Sequence, residues 1–272
     1  MAMVINTNMA ALNATRQLDG SSREQSVSME RLTSGLRINS AADDAAGLAV
    51  ATKMTSQIRG TDMAVRNAND GISLAQTIDG ASEEIGNMMQ RQRELAIQGL
   101  NGTYSTTDIA AMQAEYDALT AEVGRISTTT KFNGVPVMQT GAAINIHAGW
   151  ETTANDKIAV TSIGGSAIAT ALASGTAGLV GTSALVASLD TQITGLNTAR
   201  SGVGAVQNRL EYTVSNLQNI SENISTARSQ IQDADFAKES ANLARTQVLQ
   251  QAGMSMLSQA NQQSQNVMQL LQ

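Results

Sequence analysis

The chain has 272 residues, 42% of them apolar, with a formal charge of −6 and a pI near 4.8. Length is compatible with about two domains, while the acidity argues against general nucleic-acid binding, which needs a basic face against phosphate. Cysteine is absent, which excludes disulfides, thiol catalysis and cysteine-ligated zinc.

The first 18 residues, MAMVINTNMAALNATRQL, contain neither a basic n-region nor a continuous apolar run, so no cleavable signal peptide is visible. Up to about Leu36 the pattern is a weak helical face of Leu18, Met29, Leu32 and Leu36, interrupted by Ser22 and Gln25 and extended toward the start by Ile5, Met9 and Leu12. Such a segment does not order itself without a partner. Ser34 and Gly35 read as its stop. Ser40, with Asp43 three residues later, reads as the N-cap of the next helix.

From about Ala41 to Gln98 the pattern predicts one long helix, with a stripe of Leu74, Ile78, Ala81, Ile85, Met88 and Leu95. Gly47, Gly60, Gly71, Gly80 and Gly86 lie inside it, each costing ~1 kcal/mol relative to Ala in an exposed interior. They either break the helix into pieces or mark close backbone approach. Gly99, Asn101 and Gly102 end it, and Ser105 with Asp108 begins a third helix striped by Ile109, Met112, Tyr116, Leu119, Val123 and Ile126. A short loop between these helices favours antiparallel packing.

Asn133 and Gly134 are a tight-turn signal. Ile144, Ile146 and Ala148 alternate as a strand does, and Ile158 and Val160 repeat the alternation after a turn at Asn155 and Asp156, so one or two small hairpins are expected. Residues 161–182 are rich in Gly, Ser, Ala and Thr and read as a surface loop with little regular structure.

Between 189 and 231 every seventh position is apolar: Leu189, Leu196, Val203, Leu210, Leu217, Ile224 and Ile231. A second row, Ala199, Val206, Thr213, Ile220, Ala227 and Ala234, widens this into an a/d stripe. At 1.5 Å per residue the seam is roughly 65 Å long, too long for one compact core. The expected fold class is therefore mainly α, an elongated antiparallel helical bundle or coiled coil with a small β-hairpin region, in which helices 41–98 and 108–127 cover the seam. Lys238 breaks the heptad, and Asp233 and Asp235 suit a new helix start. The last segment has one stripe at Ala241, Ala244, Val248, Ala252, Met256 and Ala260, with Leu249, Leu257, Val267 and Leu271 on other faces. A terminal helix apolar on several sides calls for other subunits. A single proline, Pro136, and only six aromatics suit long close-packed helices. No run of about 18 apolar residues is present, so no membrane-spanning helix is expected.

No catalytic constellation emerges. His147 is the only histidine, which rules out a two-histidine metal site within one chain. The glycine-rich runs near Gly164, Gly175 and Gly202 lack a phosphate-loop pattern. The pairs Asp43/Asp44, Glu83/Glu84 and Asp233/Asp235 are explained by capping and solvation. No enzyme activity, cofactor or metal is expected. The most distinctive polar cluster is QRQRELAIQ, residues 90–98, in which Arg91, Leu95 and Gln98 share a helix face.

Several long motifs, in order, resemble those of bacterial flagellins: INTNMAALNA, RLTSGLRINSAADDAAGLAVA, QRQRELAIQ, TKFNGV, GAVQNRLE and the segment from Asp233 to Leu271. Only 141–182 matches weakly, and it leaves no room for large outer domains. The resemblance implies a structural subunit that self-polymerises into the extracellular flagellar filament for swimming, exported unfolded by the flagellar type III apparatus. Residues 1–40 and 235–272 would be terminal helices that pair in the filament core and order on assembly. Residues 41–140 and 183–234 would form the helical rod, and 141–182 a short variable surface region. The implied polymer-core residues are Ile5, Met9, Leu12, Val248, Leu249, Leu257, Val267 and Leu271. Implied partners are further copies of the chain, a filament cap, hook–filament junction proteins, an export chaperone and a flagellin-sensing Toll-like receptor, this last touching Gln90, Arg91, Leu95 and Glu115. No nucleic acid and no membrane insertion are implied. The alternative is a hook–filament junction protein of the same superfamily.

Overall fold

The structure, a computed structural model, describes residues 8–139, 143–174 and 182–269. The described chain is mainly α, a helical bundle with a small β region. In order it forms α1 (Met9–Ser34), α2 (Ala45–Gly99), α3 (Thr106–Thr129), β1 (Lys131–Phe132), β2 (Val135–Pro136), β3 (Ala143–His147), β4 (Lys157–Thr161), α4 (Gly165–Ser174), α5 (Ser183–Gln232) and α6 (Phe236–Gln269). β1 pairs with β2 and β3 with β4, both antiparallel.

Local chemistry sets most of the helix ends. The Asn8 side chain accepts from the Ala11 N–H, and Gly35, in the left-handed region at φ 71°, closes α1. Ser105 and Asp108 form a reciprocal capping box at the start of α3. Asp235 Oδ1 accepts from the Ala237 and Lys238 N–H groups at 2.9 and 3.2 Å and caps α6. The start of α2 departs from expectation. Asp43 Oδ2 does accept from the Ser40 N–H at 2.8 Å, but that pair closes a separate turn. The neighbouring Asp44 accepts from the Gly47 N–H at 2.8 Å, and the helix begins at Ala45.

α2 runs unbroken through its five internal glycines and ends on Gly99. Close approach explains three of them: a Cβ on Gly47 would lie 2.6 Å from Ile38 Cδ1, one on Gly60 3.0 Å from Trp150 Cβ, and one on Gly71 3.0 Å from Ile146 and 3.2 Å from Leu210. The hairpin between β1 and β2 turns through Asn133 at φ 49° and Gly134 at φ 81°, the two left-handed residues of a type I′ turn.

The chain divides into two compact units, one of residues 1–56 and 223–272 and the other of residues 57–222. In the second, the main core joins Leu74, Ile78, Ile85, Met89 and Leu95 of α2 to Met112, Tyr116 and Val123 of α3 and to Leu185, Leu189, Leu196 and Val203 of α5. α2 and α5 run antiparallel there, tied by Arg93 to Asp190 at 2.5 Å and Arg200 to Asp79 at 2.8 Å. The Tyr116 hydroxyl is fully buried without a hydrogen-bond partner. Burial, aided by the Asp117 charge, pushes its pKa up to about 12.

Two expectations are corrected in this region. Residues 165–174 are not loop but helix α4, and its Ile168 and Leu172 enter the same core as Val160 and Ile163. Ala169, Thr170 and Ala171 between them are compatible with a helix, and the i, i+4 pair supplies a buried face that low-complexity composition obscured. The α5 seam is fully buried only through Leu189, Leu196, Val203, Leu210 and Leu217. Ile224 and Ile231, in the other unit, are half-buried. There α2 contributes Ala51 and Thr55, the latter accepting from Arg228 at 3.4 Å, so small and polar groups replace the large apolar ones found further along.

Candidate assembly surface

In the unit of residues 1–56 and 223–272, α1 and α6 pair antiparallel. Asn8 Nδ2 donates to the Ala260 carbonyl at 3.0 Å, Ser21 Oγ to the Thr246 carbonyl at 3.2 Å and Ser28 Oγ to Glu239 Oε2 at 3.0 Å. The pair is closed by a short bridge, with the Arg37 N–H donating to the Gln232 carbonyl at 2.7 Å and the Ala234 N–H to the Gly35 carbonyl at 2.9 Å. Gly253 marks a close approach between the helices, since a Cβ there would lie 3.0 Å from Leu18 Cδ1.

The chemistry of this pairing is inverted relative to an ordinary core. Ser21, Ser28, Glu239 and Thr246 are the fully buried side chains among those described in α1 and α6. Glu239 lies at their centre, 6% exposed, accepting from Arg31 Nη1 at 3.1 Å, from Ser28 and from Asn242 Nδ2 at 3.4 Å. Burial by itself raises the Glu239 pKa. The hydrogen bonds from Arg31, Ser28 and Asn242 outweigh it and hold the carboxyl below its ordinary range. Nothing in the heptad pattern signals this lock, because its members lie on two segments far apart in sequence.

Leu18, Leu32, Leu243 and Leu257 are half-buried, but most of the large apolar side chains described in the same helices face outward. Met9 is 60% exposed, Leu12 52%, Val248 65% and Leu249 47%. Val27, Met29, Phe236, Met254 and Met256 are exposed as well. The stripe Ala241, Ala244, Val248, Ala252 and Met256 is thus turned away from α1, whereas Thr246, Gly253 and Leu257 lie on the less exposed side. Met29 is likewise not part of the α1 face that meets α6; Ser28 takes that place. Of the expected polymer-core residues, Met9, Leu12, Val248 and Leu249 are exposed and Leu257 is half-buried. Ile5 and Leu271 lie outside the described residues, as does the side chain of Val267.

On the 57–222 unit, the QRQRELAIQ strip meets α3. Arg91 Nε donates to Glu115 Oε1 at 2.9 Å and Nη1 to Glu94 Oε2 at 3.1 Å, and these bonds raise the guanidinium pKa. Gln90, Arg91 and Glu115 share an exposed face. Leu95 does not belong to it. At 1% exposure it lies in the core with Met112 and Tyr116, so the expected receptor-contact set loses this member. The physical reason is that α2 lies against α3 along this line. A residue one turn beyond Arg91 can be inside while Arg91 stays on the rim. Gln92 is also fully buried, with Nε2 donating to Thr120 Oγ1 at 2.8 Å.

Among the described residues no three His, Asp or Glu side chains converge on a possible metal position, and no helix is long and apolar enough to cross a membrane. His147 sits in β3, and its carbonyl accepts from Asn67 Nδ2 at 3.1 Å.

The family profile described as the bacterial flagellin N-terminal helical region matches residues 5–142, and that of the bacterial flagellin C-terminal helical region matches residues 186–271. The chain is 44% identical to a flagellin of Halalkalibacterium halodurans over 99% of its own length and 100% of the relative's. It is 39% identical to a flagellin of Bacillus subtilis, again over 99% and 100% of the two chains. Over the same shares it is 38% identical to the flagellar filament 33 kDa core protein of Treponema phagedenis. With matches across nearly its whole length, the chain belongs to the bacterial flagellin family, a family of structural proteins and not of enzymes.

Proposed function

We propose that this chain is the structural subunit of an extracellular flagellar filament, and that copies of it polymerise through the outward apolar faces of α1 and α6. The observation that carries the reading is the inverted chemistry of that pair: polar side chains meet inside, while Met9, Leu12, Val248 and Leu249 are left in water. Each such side chain is worth about 1.5–3 kcal/mol when moved from full exposure to full burial, so an interface between copies would recover what the single chain leaves exposed. Residues 1–40 and 235–272 form the filament-core domain in this reading, with 41–140 and 183–234 as the helical rod and 141–182 as its variable part.

Family membership supports the remaining steps. The chain is exported unfolded by the flagellar type III apparatus with a chaperone, joins hook–filament junction proteins at the base and is added beneath a cap at the tip. The junction-protein alternative has no observation in its favour. The decisive experiment seeds purified subunits with filament fragments and follows growth by electron microscopy. Elongation is expected, and failure under every salt condition overturns the polymer reading. A truncation after Lys238 is expected to leave a folded 57–222 unit that does not elongate seeds.

The exposed face of Gln90, Arg91 and Glu115 is the proposed contact for a flagellin-sensing Toll-like receptor. Arg91→Ala is expected to weaken signalling by the free subunit without altering its circular dichroism. Unchanged signalling by a folded variant counts against this contact.

A further inference from the structure

The chain has 13 methionines, and their placement is uneven. Met89 and Met138 are fully buried in the core of the 57–222 unit, and Met112 is 8% exposed. On α1 and α6 the pattern reverses: Met9 is 60% exposed, Met29 50%, Met254 53% and Met256 60%. A thioether is the one apolar side chain that mild two-electron oxidants convert into a polar group. Four of them stand on the faces assigned above to subunit contacts.

We propose that Met9, Met29, Met254 and Met256 are oxidation sites that decide whether a free subunit can join the polymer. This rests on the assembly reading. Hydrogen peroxide transfers one oxygen to Sδ. The sulfur lone pair forms the S–O bond, the O–O bond breaks, and the departing hydroxide takes the proton from the transferred oxygen and leaves as water. Sulfur is oxidised by two electrons and the peroxide is reduced. The product carries a strongly polar S–O group. Exposed on a single chain it is well hydrated, but in an apolar contact between copies it has no donor to meet and opposes burial. The sensitivity is confined to the free subunit, because assembly covers the same sulfurs.

Met63 supplies an internal control. It is 46% exposed on α2 in the 57–222 unit, with its sulfur 2.6 Å from Arg66 Nη2, and lies on neither α1 nor α6.

The test treats free subunits with hydrogen peroxide, maps sulfoxides by mass spectrometry and measures elongation on untreated seeds. The four α1 and α6 sites and Met63 are expected to oxidise while Met89 and Met138 do not, with elongation falling at least tenfold. Methionine sulfoxide reductase is expected to restore it. Filaments treated after growth are expected to keep the four sites reduced. The combined Met9→Leu, Met29→Leu, Met254→Leu and Met256→Leu variant is expected to elongate equally before and after treatment, although its Met63 still oxidises. The proposal is overturned if subunits shown to carry the four sulfoxides elongate at the untreated rate. It is also overturned if the reductase restores nothing, or if the leucine variant loses elongation on treatment as the parent does. If untreated subunits fail to elongate at all, it is the assembly reading that falls, and this inference falls with it.

Discussion

In the 57–222 unit, α5 buries Leu189, Leu196, Val203 and Leu210 to 3% exposure or less, whereas the buried side chains described in α1 and α6 are Ser21, Ser28, Glu239 and Thr246. The first pairing removes large hydrocarbon groups from water and is stable within one chain. The second is directional: its hydrogen bonds fix which residues of α1 meet which residues of α6, but each adds only about 0.5–1.5 kcal/mol, or about 1.5–3 kcal/mol when a charge takes part. Its apolar side chains stay free for another surface. Separation of self-sufficient burial from deferred burial is what a subunit needs if it is to fold alone and yet assemble.

The largest expected effect comes from placing the same charge on each side of this contrast. Leu196→Asp, at a 1% exposed position, puts a carboxylate in the core and should cost more than about 4 kcal/mol, visible as loss of cooperative melting. Val248→Asp, at a 65% exposed position, should change the melting of the free subunit by less than about 0.5 kcal/mol while abolishing elongation on seeds. If Val248→Asp unfolds the subunit, or elongates normally, the contrast is wrong.

Next in size is Glu239→Gln, which removes the charge that Arg31, Ser28 and Asn242 address and should cost about 1–3 kcal/mol. Hydrogen exchange should show α1 and α6 losing protection while α3 keeps its own. The pH dependence has a definite sign. The folded Glu239 carboxyl is held below its ordinary value, so its contribution is complete above the unfolded pKa of about 4.3 and is lost as pH falls through the lower folded pKa. The acid-induced loss of α1 and α6 protection should therefore be smaller in Glu239→Gln.

The smallest effect tests a flaw in the apolar unit. Tyr116→Phe deletes a buried hydroxyl that has no partner, and melting should be unchanged or rise by up to about 1 kcal/mol. A clear loss of stability would mean that the hydroxyl is satisfied after all.

Much of the fold could be read from local pattern. Ser105 and Asp108, Asp235, Gly35 and the Asn133-Gly134 turn each act within four residues, so their chemistry is complete in the sequence. The α5 heptad fixed which face of that helix turns inward as far as Leu217. Five of the seven seam residues are fully buried for that reason. The candidate site was less legible. A stripe predicts that a face will be covered but not by what, and α6, apolar on several sides, offers no rule for choosing among them.

The sequence by itself determined the ends of α1 and α2, the starts of α3 and α6, the inward face of α5, the two hairpins and the kinship with flagellins, because these depend on period, caps and turn residues close along the chain. Tertiary structure alone decided that Leu95 is core and Arg91 rim, that α4 joins the interior, and that α6 turns Glu239 and Thr246 toward α1 and Val248 and Met256 toward water. Those choices depend on which side chains meet between elements, from Leu95 beside Met112 to Ser28 on Glu239 across more than 200 residues of chain, and no periodicity within one helix contains that information.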